Sequence, residues 1–190
     1  MKRLFTVLLA AVALFSLSAC ASDAGASSSS TSGAVSQATS TPDMEPSDAN
    51  TYEVGNEATL GDWSITVTSC DFKDKIANPS GFGEFTPDSG NKFISISASI
   101  TNNGKQSATF LPSFATNEDV TAILNYNDGY EYQLTNLIGL DTTLIDSTMN
   151  PLTSKEGIIA FEAPDAVVSG TESLILVFSS GEQSVNFSLR

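Results

Sequence analysis

The chain has 190 residues, of which 22 are Asp or Glu, eight are Lys or Arg and none is His, giving a formal net charge of -14. That length suits one domain with a hydrophobic core plus appendages, and falls short of two ordinary domains with a tail. Such an acidic surface repels phosphate backbones and anionic head groups over a Debye length of roughly 8 to 10 Å, which disfavours nucleic-acid binding and electrostatic docking on a membrane. The lack of histidine removes Ser-His-Asp and Cys-His catalysis, histidine metal ligands and an imidazole pH switch.

The first element is an export signal. Lys2 and Arg3 form a positive n-region, and the apolar run from Leu4 to Phe15 is long enough to enter a bilayer but short of the roughly 20 residues that span one. Leu17, Ser18, Ala19 and Cys20 follow directly. This stretch resembles the lipobox of bacterial lipoproteins. The resemblance implies a diacylglyceryl thioether on the Cys20 sulfur and cleavage between Ala19 and Cys20, with the freed amine open to N-acylation. Two acyl chains hold firmly where one is marginal, so Cys20 would carry a stable palmitate-type anchor and would not pair with Cys70.

From Ala21 to about Asn50 the composition turns to Ser, Thr, Ala, Gly, Pro and Asp, with four serines at 27 to 30. Nothing there repays the entropy of ordering, so the segment reads as a disordered tether with an end-to-end distance on the order of 30 Å.

From Tyr52 onward the pattern is of short strands separated by turns. Trp63, Ile65 and Val67 alternate with Ser64, Thr66 and Thr68. In the stretch KFISISASITN, Ile94, Ile96, Ala98 and Ile100 share one face and Ser95, Ser97 and Ser99 the other, with Asn102, Asn103 and Gly104 as the closing turn. Then come ILNYNDGYEYQL, turning at Asn127, Asp128 and Gly129, the strand GIIAFEAP, and ESLILVFSSGEQSVNFSL, turning near Ser180 and Gly181. No stretch of comparable length shows a helical period. These elements predict an all-β, immunoglobulin-like antiparallel β-sandwich of about seven to nine strands, preceded by the signal peptide and linker. The expected organisation is residues 1–19 signal peptide, 20–51 lipidated cysteine and tether, and 52–190 sandwich.

The succession of VGNEATLGDWSITVTS, KFISISASITNNGK, NYNDGYEYQL and a late strand ending in Phe161 to Pro164 resembles an uncharacterised bacterial family. Its members are immunoglobulin-like domains on surface lipoproteins, similar in fold to a secreted immunoprotective antigen. The stretch MNPLTSKEG departs from the Pro-Gly turn that the family often has before the late strand. The resemblance implies fold and location, and transfers no catalytic residues.

Four constellations bear on chemistry. Ser89 and Lys92 match an S-x-x-K spacing, but SGNK reads as a turn into a strand, where residues three apart point to opposite faces. Oxygen donors at Asp71, Asp74, Asn125, Asn127 and Asp128 lack the spacing of a calcium loop, so they read as solvated turn residues and no metal is expected. Cys70 reads as a core thiol, with a reactive thiol as the alternative. Tyr126, Tyr130 and Tyr132 straddle a hairpin; Tyr130 and Tyr132 share a strand face and form the candidate interaction surface, which would equally serve to stabilise the hairpin.

The functional expectation is a membrane-anchored extracytoplasmic lipoprotein whose sandwich binds a protein, wall polymer or small ligand. It is expected to be neither an enzyme nor cofactor-dependent. The alternatives are an exported hydrolase using paired carboxylates and a structural subunit of an envelope complex.

Overall fold

The computed structural model describes residues 50–81, 83–127 and 129–190. Every described residue belongs to one compact unit, Met44–Arg190. The signal segment, Cys20, nearly all of the tether and Asp128 lie outside the described residues.

In chain order the elements are β1 (Thr51–Glu53), β2 (Glu57–Leu60), β3 (Trp63–Lys73), β4 (Ile76–Ala77), β5 (Glu84–Phe85), β6 (Asn91–Asn102) and β7 (Ala108–Phe110). They continue with β8 (Thr121–Tyr126), β9 (Tyr130–Gln133), β10 (Ser147–Met149), β11 (Ser154–Pro164), the one-turn helix α1 (Asp165–Ser169), β12 (Leu174–Ser180) and β13 (Gln183–Ser188). Two sheets form the sandwich, a five-stranded one ordered β1-β13-β12-β8-β9 and a four-stranded one ordered β11-β6-β3-β2. The nine strands of these sheets meet the expectation. The purely antiparallel pairing does not hold throughout, because β1 lies parallel to β13, with Thr51 opposite Asn186 and Glu53 opposite Ser188.

Alternation places the core. Ile94, Ile96, Ala98 and Ile100 of β6 meet Leu124, Leu176, Phe178 and Phe187 of the other sheet in one buried cluster. A chain of rings runs through it: Trp63 to Phe110 at 5.1 Å between centroids, Phe110 to Phe178 at 5.8 Å, and Phe178 to Phe187 at 6.1 Å. Tilted and edge-on pairs of this kind add to the burial of their area.

The pattern in β3 is rephased part-way along. Continued alternation from Val67 would drive Ser69 and Asp71 into the core. A bulge at Thr68, where the register to β6 shifts between Val67 and Ser69, instead sets Cys70 opposite Ile96 and Phe72 opposite Ile94. One extra residue thereby turns the polar pair outward and brings Cys70 against the core.

The serine face of β6 is not simply a solvated face. Phe93, on the same side as Ser95, packs with Ile76, Leu137, Leu140 and Ala160 in a second buried cluster. Loop residues between β9 and β10 cover this side, held by backbone bonds from Ile158 to the Thr142 carbonyl and from Leu144 to the Ile158 carbonyl. Gly157 permits the approach, since a Cβ there would collide with the Thr142 carbonyl and the Leu144 side chain. Ser95 is consequently fully buried, and its hydroxyl has no hydrogen-bond partner among the described residues.

The strand directions define two poles. Asn50 lies with Gly61, Glu182 and Gln183 at one of them, while the β8–β9 hairpin, α1 and Arg190 share the other.

Candidate functional site

At the second pole the β8–β9 hairpin turns on Asn127 and Gly129, both at positive φ, as its Asn and Gly predict. The register sets Tyr126 opposite Tyr130 and Leu124 opposite Tyr132. Because Leu124 is fully buried in the core, all three tyrosines lie on the inner face of their sheet. They reach solvent because the sandwich ends there. Tyr126 and Tyr132 are half-buried against the core, whereas Tyr130 is 61% exposed. The Tyr126 and Tyr130 rings stand 6.4 Å apart across the hairpin. Burial raises the Tyr132 phenol above its ordinary pKa, and the neighbouring Tyr126 and Tyr130 hydroxyls push the same way.

Two residues complete the pole. The Arg190 guanidinium sits 5.9 Å from the Tyr126 ring centre and 5.7 Å from that of Phe72, so it joins a ring of each sheet. Its nitrogens donate to the carbonyls of Glu172 at 3.0 Å, Val168 at 3.4 Å and Val167 at 3.1 Å. Two of these carbonyls end α1, where unpaired acceptors and the helix dipole favour a cation. Gly170 lets Tyr126 lie flush, because a Cβ there would strike the Tyr126 hydroxyl. The result is an open groove of about 420 Å³ between the tyrosines, Pro164, Val167 and Glu172. Tyr126, Tyr130 and Tyr132 thus lie together along one groove. Phe72, Arg190 and Glu172 were not foreseen, since only the tertiary closure brings them together.

The remaining candidates do not converge. Asp71 is bridged to Lys73 at 3.8 Å and Asp74 to Lys92 at 2.6 Å. Asp71 and Asn125 face outward from opposite sheets, given that their neighbours Cys70 and Leu124 face the core. Among the described residues, no group of three or more His, Cys, Asp or Glu side chains is placed to hold a metal. Ser89 is exposed in the turn before β6 while the Lys92 ammonium goes to Asp74, so no serine-lysine pair forms. Cys70 is half-buried and free, and burial together with Asp71 pushes its thiol up to about 11 despite the opposing charge of Arg190. At neutral pH it is a protonated thiol, which makes it a poor nucleophile.

Hollows also occur elsewhere on the sandwich. Glu118, Asp119 and Glu182 line one of about 520 Å³ at the Asn50 pole. Asp119 accepts from the Thr116 backbone and hydroxyl at 2.7 Å each, bonds that hold its carboxyl below the usual range. Another, about 220 Å³, lies among Leu111, Val120, Leu134 and Ile145. Beside it Asp146, at positive φ, accepts from the Ser113 backbone and hydroxyl, and Asn136 donates to that hydroxyl at 3.0 Å. These polar groups satisfy one another.

Residues 52–183 match the family described as a domain of unknown function, DUF4352. The chain belongs to the DUF4352 family. No curated protein matches it significantly. Among solved structures, this DUF4352 chain is similar to an uncharacterised β-sandwich protein from Clostridium difficile, at 24% identity and a TM-score of 0.54 over 73% of this chain and 93% of that one. It is also similar to a conserved hypothetical protein from Bacillus anthracis, at 18% identity and a TM-score of 0.51 over 71% and 94%. The secreted protein MPT63 from Mycobacterium tuberculosis aligns at 19% identity with a TM-score of 0.46 over 73% and 95%. At these identities the first two likenesses establish the fold alone, a β-sandwich.

Proposed function

We propose that this DUF4352 protein is an extracytoplasmic binding module, held to the membrane through a lipidated Cys20 and engaging its ligand through the tyrosine groove. The observation that carries the reading is placement: the aromatic groove occupies the pole opposite Asn50, where the chain enters the sandwich. A domain tethered at one end presents the other to its surroundings. Tyrosine suits such a surface because it offers large contact area at small entropic cost.

In-cell cross-linking followed by mass spectrometry tests the reading. A partner recovered with wild type and lost with Tyr130→Ala supports the groove, and recovery that ignores the substitution places the contact elsewhere. Palmitate labelling that disappears in Cys20→Ala supports the anchor, whereas equal labelling in both removes it.

A further inference from the structure

We infer that the tyrosine groove receives a basic segment of a partner protein, with a Lys or Arg side chain laid over Tyr130 and its charge facing Glu172. The inference rests on the binding-module reading and narrows it to one kind of partner. Three observations carry it.

The first is internal precedent. The groove already holds one cation against its rings, the Arg190 guanidinium 5.9 Å from the centre of Tyr126. That group already gives three of its five N–H donors to backbone carbonyls. The face of Tyr130 is different, because the residue is 61% exposed and its hairpin partner Tyr126 is occupied by Arg190. An aromatic face attracts ammonium and guanidinium groups through its quadrupole, and more strongly where water is partly excluded.

The second is charge. Glu172 lines the groove, and its backbone carbonyl rather than its carboxylate is what Arg190 uses. No ion pair within the described residues claims that carboxylate; those found join Lys73, Lys75 and Lys92 to Asp71, Glu84 and Asp74. The chain as a whole carries a formal charge of -14, so a basic partner is drawn in and an acidic one repelled.

The third is shape. The groove is an open trough of about 420 Å³ bordered by β9, the edge strand of the five-stranded sheet, and by Pro164 and Val167 across it. That form admits an extended backbone with one long side chain set down into it, and is broader than an isolated amine requires.

The test is calorimetric titration of the folded chain with a blocked heptapeptide carrying one Arg and one Lys between glycines and alanines. Its counterpart has citrulline and acetyl-lysine at those positions. The expected result is saturable binding of the basic peptide, weakened roughly tenfold or more by the neutral replacements. Tyr130→Ala should weaken it by a similar factor, and Glu172→Gln by roughly threefold with a flatter salt dependence. Unchanged melting of both variants excludes unfolding as the cause. If both peptides bind equally and Tyr130→Ala abolishes both, the cationic specificity is overturned while the groove reading stands. If the basic peptide binds but neither substitution weakens it, the attraction belongs to the general acidic surface and the inference fails. Absence of binding by either peptide also overturns it, leaving the in-cell cross-linking to decide the groove reading separately.

Discussion

The two poles of the sandwich solve the problem of ending a β-sandwich in opposite ways. At the Asn50 pole polar groups close on one another. Asn102, fully buried at the end of β6, donates to the carbonyls of Gln106 at 2.9 Å and Met149 at 3.0 Å and accepts from the Gly104 amide at 2.8 Å. Asn103 bonds the Asp62 carbonyl through its backbone and Ser64 through its side chain. At the tyrosine pole, rings and one guanidinium do the closing, and an aromatic face is left uncovered. The Asn102 network keeps its donors and acceptors to itself, whereas the acidic hollow at the same pole and the aromatic face at the other stay open. The difference teaches that the end of a sandwich can be stable without every group being closed off, since at the tyrosine pole rings stay open and the Asn125 side-chain oxygen is buried without a partner among the described residues.

Substitutions at each pole should separate these roles. Asn102→Ala strands two buried carbonyls and one amide at once, and should cost about 3 kcal/mol in urea unfolding with the tyrosine pole intact in the folded fraction. A loss near zero would show that the Asn50 pole is not held this way. Arg190→Ala removes three carbonyl partners and both ring contacts, and should cost about 1.5 kcal/mol. Arg190→Lys should recover only part of that, since an ammonium cannot reproduce the planar fork; full recovery would mean that charge alone sufficed.

Cys70 gives a pH signature beneath the tyrosine pole. Its thiol titrates at about 11 in the folded chain against an ordinary 9.0. Between those values the folded state keeps a proton that the unfolded state has lost, so stability falls as pH rises through that window. Melting temperatures should therefore decline more steeply above pH 9 in wild type than in Cys70→Ala, and maleimide should label the native thiol slowly at pH 7.5. Equal slopes with rapid labelling would contradict the burial of the thiol. Smallest of all, Tyr130→Ala should move stability by no more than about 0.5 kcal/mol, as befits an exposed ring. A larger loss would make Tyr130 a structural member of the pole and weaken its assignment to a ligand.

Much of this was legible in the chain. The alternation of Ile94, Ile96, Ala98 and Ile100 locates the central strand of one sheet, and Asn127 with Gly129 locates the hairpin that carries the tyrosines. What escaped is of three physical kinds. The bulge at Thr68 leaves no trace in a local pattern except a polar pair, Ser69 and Asp71, in the wrong phase. The second core depends on Leu137 and Leu140, which carry no period because they sit in a loop; the clue was Phe93 among serines. The roles of Arg190, Phe72 and Glu172 arise only when residues far apart in the chain meet at one pole. Short-range patterns encode strands and turns well, and encode contacts between sheets poorly, because those depend on register and closure.

The parallel pairing of β1 on β13 has a mechanical meaning. Asn50, Thr51, Tyr52 and Glu53 run toward the tyrosine pole alongside β13, starting with the bond from the Asn186 amide to the Asn50 carbonyl at 2.9 Å. A pull on the preceding chain, directed away from the tyrosine pole, therefore acts along the axis of β1 and across its ladder bonds. Loaded in shear, those bonds stretch together instead of opening one after another. The first strand thus serves as a clamp against force arriving from the side of the chain that precedes it.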